Sequence, residues 1–397
     1  MANTNTALNA ASRAKKDEFY TRLTDIEKEL RHYRAHFKGK TILCNCDDPF
    51  ESNFFKYFVL NFNRLGLKKV IATCYAGSPI AGTQMTFLDL LDGKLTKTEP
   101  QNRPYKAIVT TVYDKTGDGG VDMLDIAALF KSGENELTEL RGDGDFRSPE
   151  CLDLLDEADI VVTNPPFSLF REFVAMLIGH DKKFIIIGNI NALTYKEFFP
   201  LIMENKVWIG PSIHSGDRAF FVPEDYPLSA SGCGVDENGR KFIRVKGVRW
   251  FTNLDVKQRH EEMILVKKYT PEEYPKYANY DAIEVSRTAD IPCDYAGEMG
   301  VPITFLDKYN PDQFEIIGSS RWLGKSMANI APKGSYVSGG VRFYLPISSD
   351  DLQLVNNELV MQLPPPADAN TVVSTTESLS GERFRRMYDR IVIRRRH

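Results

Sequence analysis

Apolar residues in this chain fall into short, nearly continuous runs separated by longer amphipathic stretches. The runs are Thr41–Cys46 (TILCNC), Lys69–Tyr75 (KVIATCY), Asp159–Thr163 (DIVVT), Lys183–Ile190 (KFIIIGNI) and Val207–Gly210 (VWIG). They are short and rich in Val and Ile, as expected of strands buried on both faces of a parallel sheet. Helical spacing marks Tyr20–Phe37, Glu51–Leu65, Pro149–Glu157, Leu169–His180 and Thr194–Asn205. Strands alternating with helices predict βαβ units in a doubly wound, Rossmann-like α/β domain.

Two stretches break the rhythm. Ala76–Arg141 holds a polar loop, a strand expected at Lys106–Tyr113 and a helix expected at Val121–Lys131, and it reads as an insertion over about 77–135. After Gly210 the alternation stops, and mixed short strands rich in Gly, Pro, Tyr and basic residues follow. The expected organisation is a flexible arm at 1–16, a catalytic domain at 17–215 and a recognition region at 216–397. A flexible insert at about 331–380 carries the Pro364–Pro366 run and TVVSTTESLSGE.

Composition narrows the class. A 42% apolar content with a net charge of −4 is ordinary for a globular protein and excludes a disordered one. No run reaches the roughly 18 apolar residues of a membrane span, and the first twenty residues lack the apolar core of a secretory signal. The six cysteines are scattered over about 250 positions, without disulfide density or a paired CxxC zinc pattern. A cytoplasmic protein with reduced thiols is expected, with no metal.

The candidate chemistry lies at Asn164-Pro165-Pro166-Phe167, directly after DIVVT. Asn and Pro both favour a turn leaving a strand. Ligands in open α/β sheets nevertheless bind beyond the carboxyl ends of strands. The pattern suits methyl transfer to a poorly nucleophilic aromatic amine. The Asn164 side-chain oxygen and the Pro165 carbonyl can each accept one amine hydrogen, drawing the nitrogen toward sp³ and freeing its lone pair. Two prolines fix φ and remove competing donors. Phe167 offers a flat face to the base, which must first be flipped out of a duplex.

NPPF after a strand resembles the catalytic motif of amino-group DNA methyltransferases, and longer passages resemble the EcoRI-type adenine-specific branch. These are KKDEFYTRLTDIEKEL (Lys15–Leu30), CNCDDPFESNFFKYF (Cys44–Phe58) and GDGDFRSPECLDLLDEADIVVTNPPFSLFREF (Gly142–Phe173). TNLDVKQRH (Thr252–His260), YPKYANYDAIEV (Tyr274–Val285) and MGVPITFLDKYNPDQFEII (Met299–Ile317) continue it. The resemblance implies S-adenosyl-L-methionine as cofactor and a methyltransferase fold followed by target recognition. It places Phe19 and Tyr20 near the methionine end of the cofactor, Asn45, Cys46, Asp47 and Asp48 beneath it, and Asp145 and Phe146 at its adenine. The usual glycine-rich turn after the first strand is replaced by CNCDDP, and the second strand ends in Cys74-Tyr75 without an acid for the ribose. Asp47 or Asp48 could instead cap the following helix. Gly142–Asp145 could be a plain glycine turn, with too few spaced acids for an EF-hand.

Nine Lys and Arg against three acids in 240–268 make a local basic face. KFIRVKGVRW alternates basic and apolar residues as a strand with one charged face would. Arg244, Lys246, Arg249, Lys257 and Arg259 are the candidate DNA contacts there. Arg385 and Arg386 are candidates in the terminal GERFRRMYDRIVIRRRH, which has seven Arg against two acids. The expected partner is double-stranded DNA, bound by a monomer, with a restriction endonuclease as a functional partner only. Methylation of RNA adenine or protein glutamine, or a catalytically inactive nucleic-acid-binding relative, are the alternatives.

Overall fold

A computed structural model describes residues 19–46, 52–74, 104–214, 216–222, 232–336, 342–347 and 382–396, and the backbone of 352–355 and 358–361. The expected arm at 1–16, Asp47, Asp48 and residues 77–103 and 362–380 lie outside the described residues. The chain forms two compact units, Met1–Gln258 and Arg259–His397.

The strands of the first unit are β1 (Thr41–Cys44), β2 (Lys69–Thr73), β3 (Tyr105–Val109), β4 (Glu136–Glu139), β5 (Ile160–Thr163), β6 (Lys183–Asn189), β7 (Trp208–Ile209), β8 (Asp217–Phe221), β9 (Gly234–Val235), β10 (Lys241–Lys246) and β11 (Val248–Thr252). Its longer helices are α1 (Leu23–Leu30), α2 (Asn53–Leu60), α3 (Met123–Lys131), α4 (Pro149–Glu157) and α5 (Phe170–Gly179). Eight strands form one sheet in the order β4-β3-β2-β1-β5-β6-β11-β7. The central four, β2-β1-β5-β6, are parallel, and β1 and β5 are buried along their whole length. This is the expected α/β methyltransferase-like core. From β1 the chain moves to one side to make β2 and later returns to the other side to make β5. The carboxyl ends of β1 and β5 therefore flank the switch point of the sheet, where such folds bind ligands.

Both flanks are antiparallel, which the run pattern did not predict. Residues 104–139, mostly read as insertion, supply β3 and β4 and widen the sheet. The run KFIRVKGVRW is not one strand. Gly247, at φ 74°, turns the chain so that β10 joins the separate sheet β8-β10-β9 while β11 pairs with β6. Residues 216–258, expected with the recognition region, thus lie in the first unit, and Phe220, Val248 and Trp250 enter its core. Local signals set the helix starts. Ser52 accepts from the backbone of Phe54 and Phe55, Asp122 and Asp125 form a capping box, and Ser148-Pro149 opens α4.

In the second unit, β12 (Ile283–Glu284), β13 (Met299–Pro302), β14 (Phe314–Ser319), β15 (Tyr344–Ile347), β16 (Leu352–Val355), β17 (Glu358–Met361), β18 (Arg383–Arg386) and β19 (Arg390–Arg395) form three sheets. One has the order β12-β13-β19-β14, and β15-β18 and β16-β17 are antiparallel pairs. Phe343, Leu345 and Val392 share a core with Tyr277 and Ala282. Among the described residues no helix is long and apolar enough to cross a membrane.

Candidate active site

Buried β5 delivers Asn164 to the switch point. The Thr163 hydroxyl donates to the carbonyl of Asn45, tying the end of β5 to the end of β1. Asn164 is 3% exposed, and its Nδ2 donates to the Phe19 carbonyl at 2.7 Å. Its Oδ1 is buried and accepts no hydrogen bond among the described residues. A buried acceptor left unfilled is costly unless a ligand fills it. Pro165 and Pro166 are buried, and the Pro166 carbonyl accepts from Leu169 N at 3.0 Å, starting the turn that leads into α5.

Phe167 is half-buried, with its ring 6.1 Å from Phe19 and 6.3 Å from Phe220; Phe19 and Phe220 are 6.0 Å apart. Phe220 was not singled out from the sequence. Its strand also holds the amino-terminal segment. Tyr20 N donates to the Phe221 carbonyl at 3.0 Å and Phe221 N donates to the Tyr20 carbonyl at 3.1 Å.

At the end of β1, Asn45 is buried and its Oδ1 has no partner among the described residues, as is also true of the Thr21 hydroxyl. Asn53 Nδ2 donates to the Thr21 carbonyl at 2.7 Å. Cys46 turns the chain at φ 75°, in the left-handed region that non-glycine residues seldom adopt. The residue capping α2 is Ser52, not Asp47 or Asp48. At the end of β2, Gly144 has φ 79°, and a Cβ there would stand 2.1 Å from the Cys74 carbonyl oxygen. Only glycine lets this loop lie across the strand end, which is what brings Asp145 and Phe146 there. The Asp145 carboxylate accepts from Arg147 N at 2.8 Å, Nε at 2.9 Å and Nη2 at 2.7 Å, and these bonds hold it below the usual carboxylate range. Phe146 is buried edge-on against Phe173 at 5.1 Å.

Glu29, a second acid that the sequence did not reveal, is fully buried on α1. It accepts from Tyr33 Oη at 2.8 Å and from Ser212 N at 2.9 Å, and burial pushes it from 4.5 up to about 7. Among the described residues one acid group, Asp114, Asp118 and Asp125, is tight enough to hold a cation. The Asp125 oxygens are already taken by the backbone N–H groups of Lys115, Thr116 and Asp122 at 2.8–2.9 Å. All six cysteines are free.

The candidate DNA contacts separate. Arg244 and Lys246 stand exposed on one face of β10 while Ile243 and Val245 point into the core. Lys257 is also exposed. Arg249 departs from the expectation. Its side chain is buried, with Nη1 donating to the Val248 carbonyl at 2.9 Å and Nη2 to the His214 carbonyl at 2.7 Å. The cause is its strand: β11 lies between β6 and β7 in the large sheet and is buried along its whole length. In the second unit Arg259 and Arg385 are half-buried and Arg386 is exposed.

The model of the family described as adenine-specific methyltransferase EcoRI matches residues 7–396. The chain is 46% identical to the Type II methyltransferase M.EcoRI of Escherichia coli over 337 residues, covering 84% of this chain and 95% of that protein. It is 38% identical to the Type II methyltransferase M.MpnI of Mycoplasma pneumoniae over 314 residues, 78% of this chain and 84% of that protein. A Mycoplasma genitalium relative, the Type II methyltransferase M.MgeORF184P, is 37% identical over 315 residues, with the same coverage. No solved structure matches.

Proposed function

Because this chain belongs to the EcoRI family of adenine-specific methyltransferases, we propose that it methylates the N6 amine of a specific adenine in duplex DNA, as the modification enzyme of a restriction system or as a protective methylase. The observation that carries the mechanism is the state of Asn164. Its amide nitrogen is anchored on Phe19, which fixes the rotamer and leaves Oδ1 as a buried, empty acceptor. That oxygen takes one hydrogen of the adenine amine, and the Pro165 carbonyl takes the other. With both hydrogens held, the nitrogen lone pair is released from the ring and attacks in line, and the surplus proton passes to water. Phe167, braced by Phe19 and Phe220, holds the flipped base. None of these groups titrates near neutral pH, so the site stabilises developing charge by fixed dipoles.

A methyl donor is required, and the ends of β1 and β2 suit S-adenosyl-L-methionine. When bound, it supplies the electrophilic methyl group. The unfilled Asn45 Oδ1 accepts from an ammonium group, and the Thr21 hydroxyl can donate to a carboxylate. Phe19, Tyr20, Cys46, Asp145 and Phe146 complete its surroundings, with Asp145 kept ionised as an acceptor. Arg244, Lys246 and Lys257 meet phosphates from the first unit, and Arg259, Arg385 and Arg386 do so from the second, which carries target recognition. One monomer suffices, since each turnover modifies one strand, and free thiols agree with a cytoplasmic enzyme.

The test is transfer of a radiolabelled methyl group from S-adenosyl-L-methionine to unmethylated genomic DNA, with the sites mapped at base resolution. Label in adenine that disappears in Asn164→Ala is expected. Label confined to RNA or to protein would refute the DNA assignment.

A further inference from the structure

Within the second unit, two guanidinium groups share a single carboxylate. Asp389, between β18 and β19, accepts from Arg321 Nε at 3.0 Å and Nη2 at 2.7 Å through Oδ2, and from Arg342 Nη1 through Oδ1. The charge of Arg386 is also felt at Arg342. Burial first, then the charges of Arg321 and Arg386, push Arg342 below the ordinary arginine range, against the pull of Asp389. The cluster thus holds more positive charge than its acid compensates, and an electronegative partner would relieve it.

The platform is rigid. Ser320 is fully buried; its N donates to the Arg390 carbonyl at 2.9 Å and its hydroxyl accepts from Arg390 N at 2.9 Å. Ser319 closes the next turn through the backbone of Trp322 and Leu323. Asn279 staples the far side, with Nδ2 donating to the Lys325 and Arg342 carbonyls and Oδ1 accepting from Tyr344 N at 3.0 Å. Both arginines therefore leave a backbone fixed at several points, as a reading site requires.

The orientation of Arg321 tells what is read. Its Nε–Nη2 edge is spent on Asp389, and its Nη1 makes no hydrogen bond among the described residues. The Nη1–Nη2 edge is left unspent on a side chain one-third exposed (33%). A phosphate contact gains nothing from an adjacent carboxylate, which cancels part of the attraction. A base contact gains direction, because the carboxylate fixes the plane of the fork. Two parallel donors match the O6 and N7 acceptors that guanine presents in the major groove. Resting on the DNA methylation reading above, we propose that Arg321, held by Asp389 beside Arg342, reads a guanine of the target site through O6 and N7.

Mapping the methylated sequence supplies synthetic duplexes in which each guanine is replaced in turn by 7-deazaguanine, which lacks N7. At one position the wild-type enzyme should lose roughly 10–100-fold in kcat/KM. Arg321→Met removes every donor. It should show at least that loss on ordinary DNA and no further loss with 7-deazaguanine at the same position. Melting followed by circular dichroism separates a folding defect. Should Arg321→Met fail to melt as wild type, Asp389→Asn, which keeps both guanidiniums, carries the comparison. Multiplying losses at every guanine, a target without guanine, or a wild type indifferent to 7-deazaguanine would each overturn the proposal. Failure of the underlying reading looks different, namely no methyl transfer by the wild type to any DNA.

Discussion

In the first unit Glu29 is buried between two neutral donors, with no cation in contact among the described residues. In the second, Glu284 is buried against Arg390, whose guanidinium gives it hydrogen bonds of 2.6, 3.0 and 3.1 Å. The same contrast recurs at the candidate sites. Asn164 and Asn45 present buried neutral oxygens, whereas Asp389 is surrounded by guanidiniums. Methyl transfer to an uncharged amine needs acceptors fixed in place, and a nearby cation or proton donor would compete for the lone pair being freed. Reading DNA needs positive charge aimed in a fixed direction. On the proposed function, the two units solve these problems separately.

The largest expected effect breaks the pairing in the second unit. Arg390→Met leaves the Glu284 carboxylate buried and unpaired, which should cost about 3–5 kcal/mol of unfolding free energy. Adding Glu284→Gln should restore much of that loss. Urea titrations of the two variants decide it; an Arg390→Met protein as stable as wild type would show that the pair contributes little. Slightly smaller in free energy is the effect of removing the neutral acceptor. Asn164→Ala should lower the single-turnover methylation rate by roughly 100–1,000-fold, the usual cost of one preorganised hydrogen-bonding group. Asn164→Asp keeps the size but loses the Nδ2 donor, setting a carboxylate oxygen against the Phe19 carbonyl, and should not restore the rate. DNA affinity measured by gel shift should change little in either.

The unpaired acid predicts a pH dependence. Glu29 titrates at about 7 when folded against 4.5 ordinarily. The folded state therefore binds the proton more tightly, and this stability, full below about pH 4.5, is lost as the pH rises through 7. The shift corresponds to up to about 3 kcal/mol. Glu29→Gln should remove that slope between pH 5 and 8, although it gives up one acceptor to Tyr33 or Ser212. Unfolding free energies of wild type and variant across that range are the measurement, and an unchanged slope would assign it to other groups.

Much of the first unit was legible because its signals are local. Val-Ile runs buried on both faces and the turn after DIVVT mark β1, β2, β5 and β6 and put Asn164 at a strand end. A strand was expected at Lys106–Tyr113, where β3 lies, but the antiparallel direction of β3, β4 and β11 was not legible, because it depends on partners distant in sequence. Gly247 hid a break between two strands, and the second of them, β11, is buried on both faces of the large sheet with Arg249. Glu29 looks like any solvated helix residue until Gly210 and Ser212 close over it; a Cβ at Gly210 would lie 2.0 Å from its carboxylate oxygen. Glu284 and Arg390 stand 106 positions apart, and no spacing rule joins them. Arg321, Arg342 and Asp389 come from three separate segments, and no spacing rule joins them either.

Phe220 tests whether the neutral site also depends on packing supplied by the small sheet. Its ring meets Phe167 edge-on at 6.3 Å and 86°, and Phe19 at 6.0 Å. An aromatic pair of this kind contributes about 0.5–1.5 kcal/mol beyond area burial. Phe220→Leu keeps an apolar side chain but loses the ring edge, so methylation should fall only a few-fold to about tenfold. If Phe220 positions Phe167, a 2-aminopurine at the target adenine should report altered stacking in Phe220→Leu while single-turnover chemistry slows. If it only fills space, the variant should melt earlier yet show wild-type fluorescence and rate at low temperature. That second outcome would confine the catalytic constellation to the ends of β1 and β5, with β8 serving only to hold Phe19 and Tyr20.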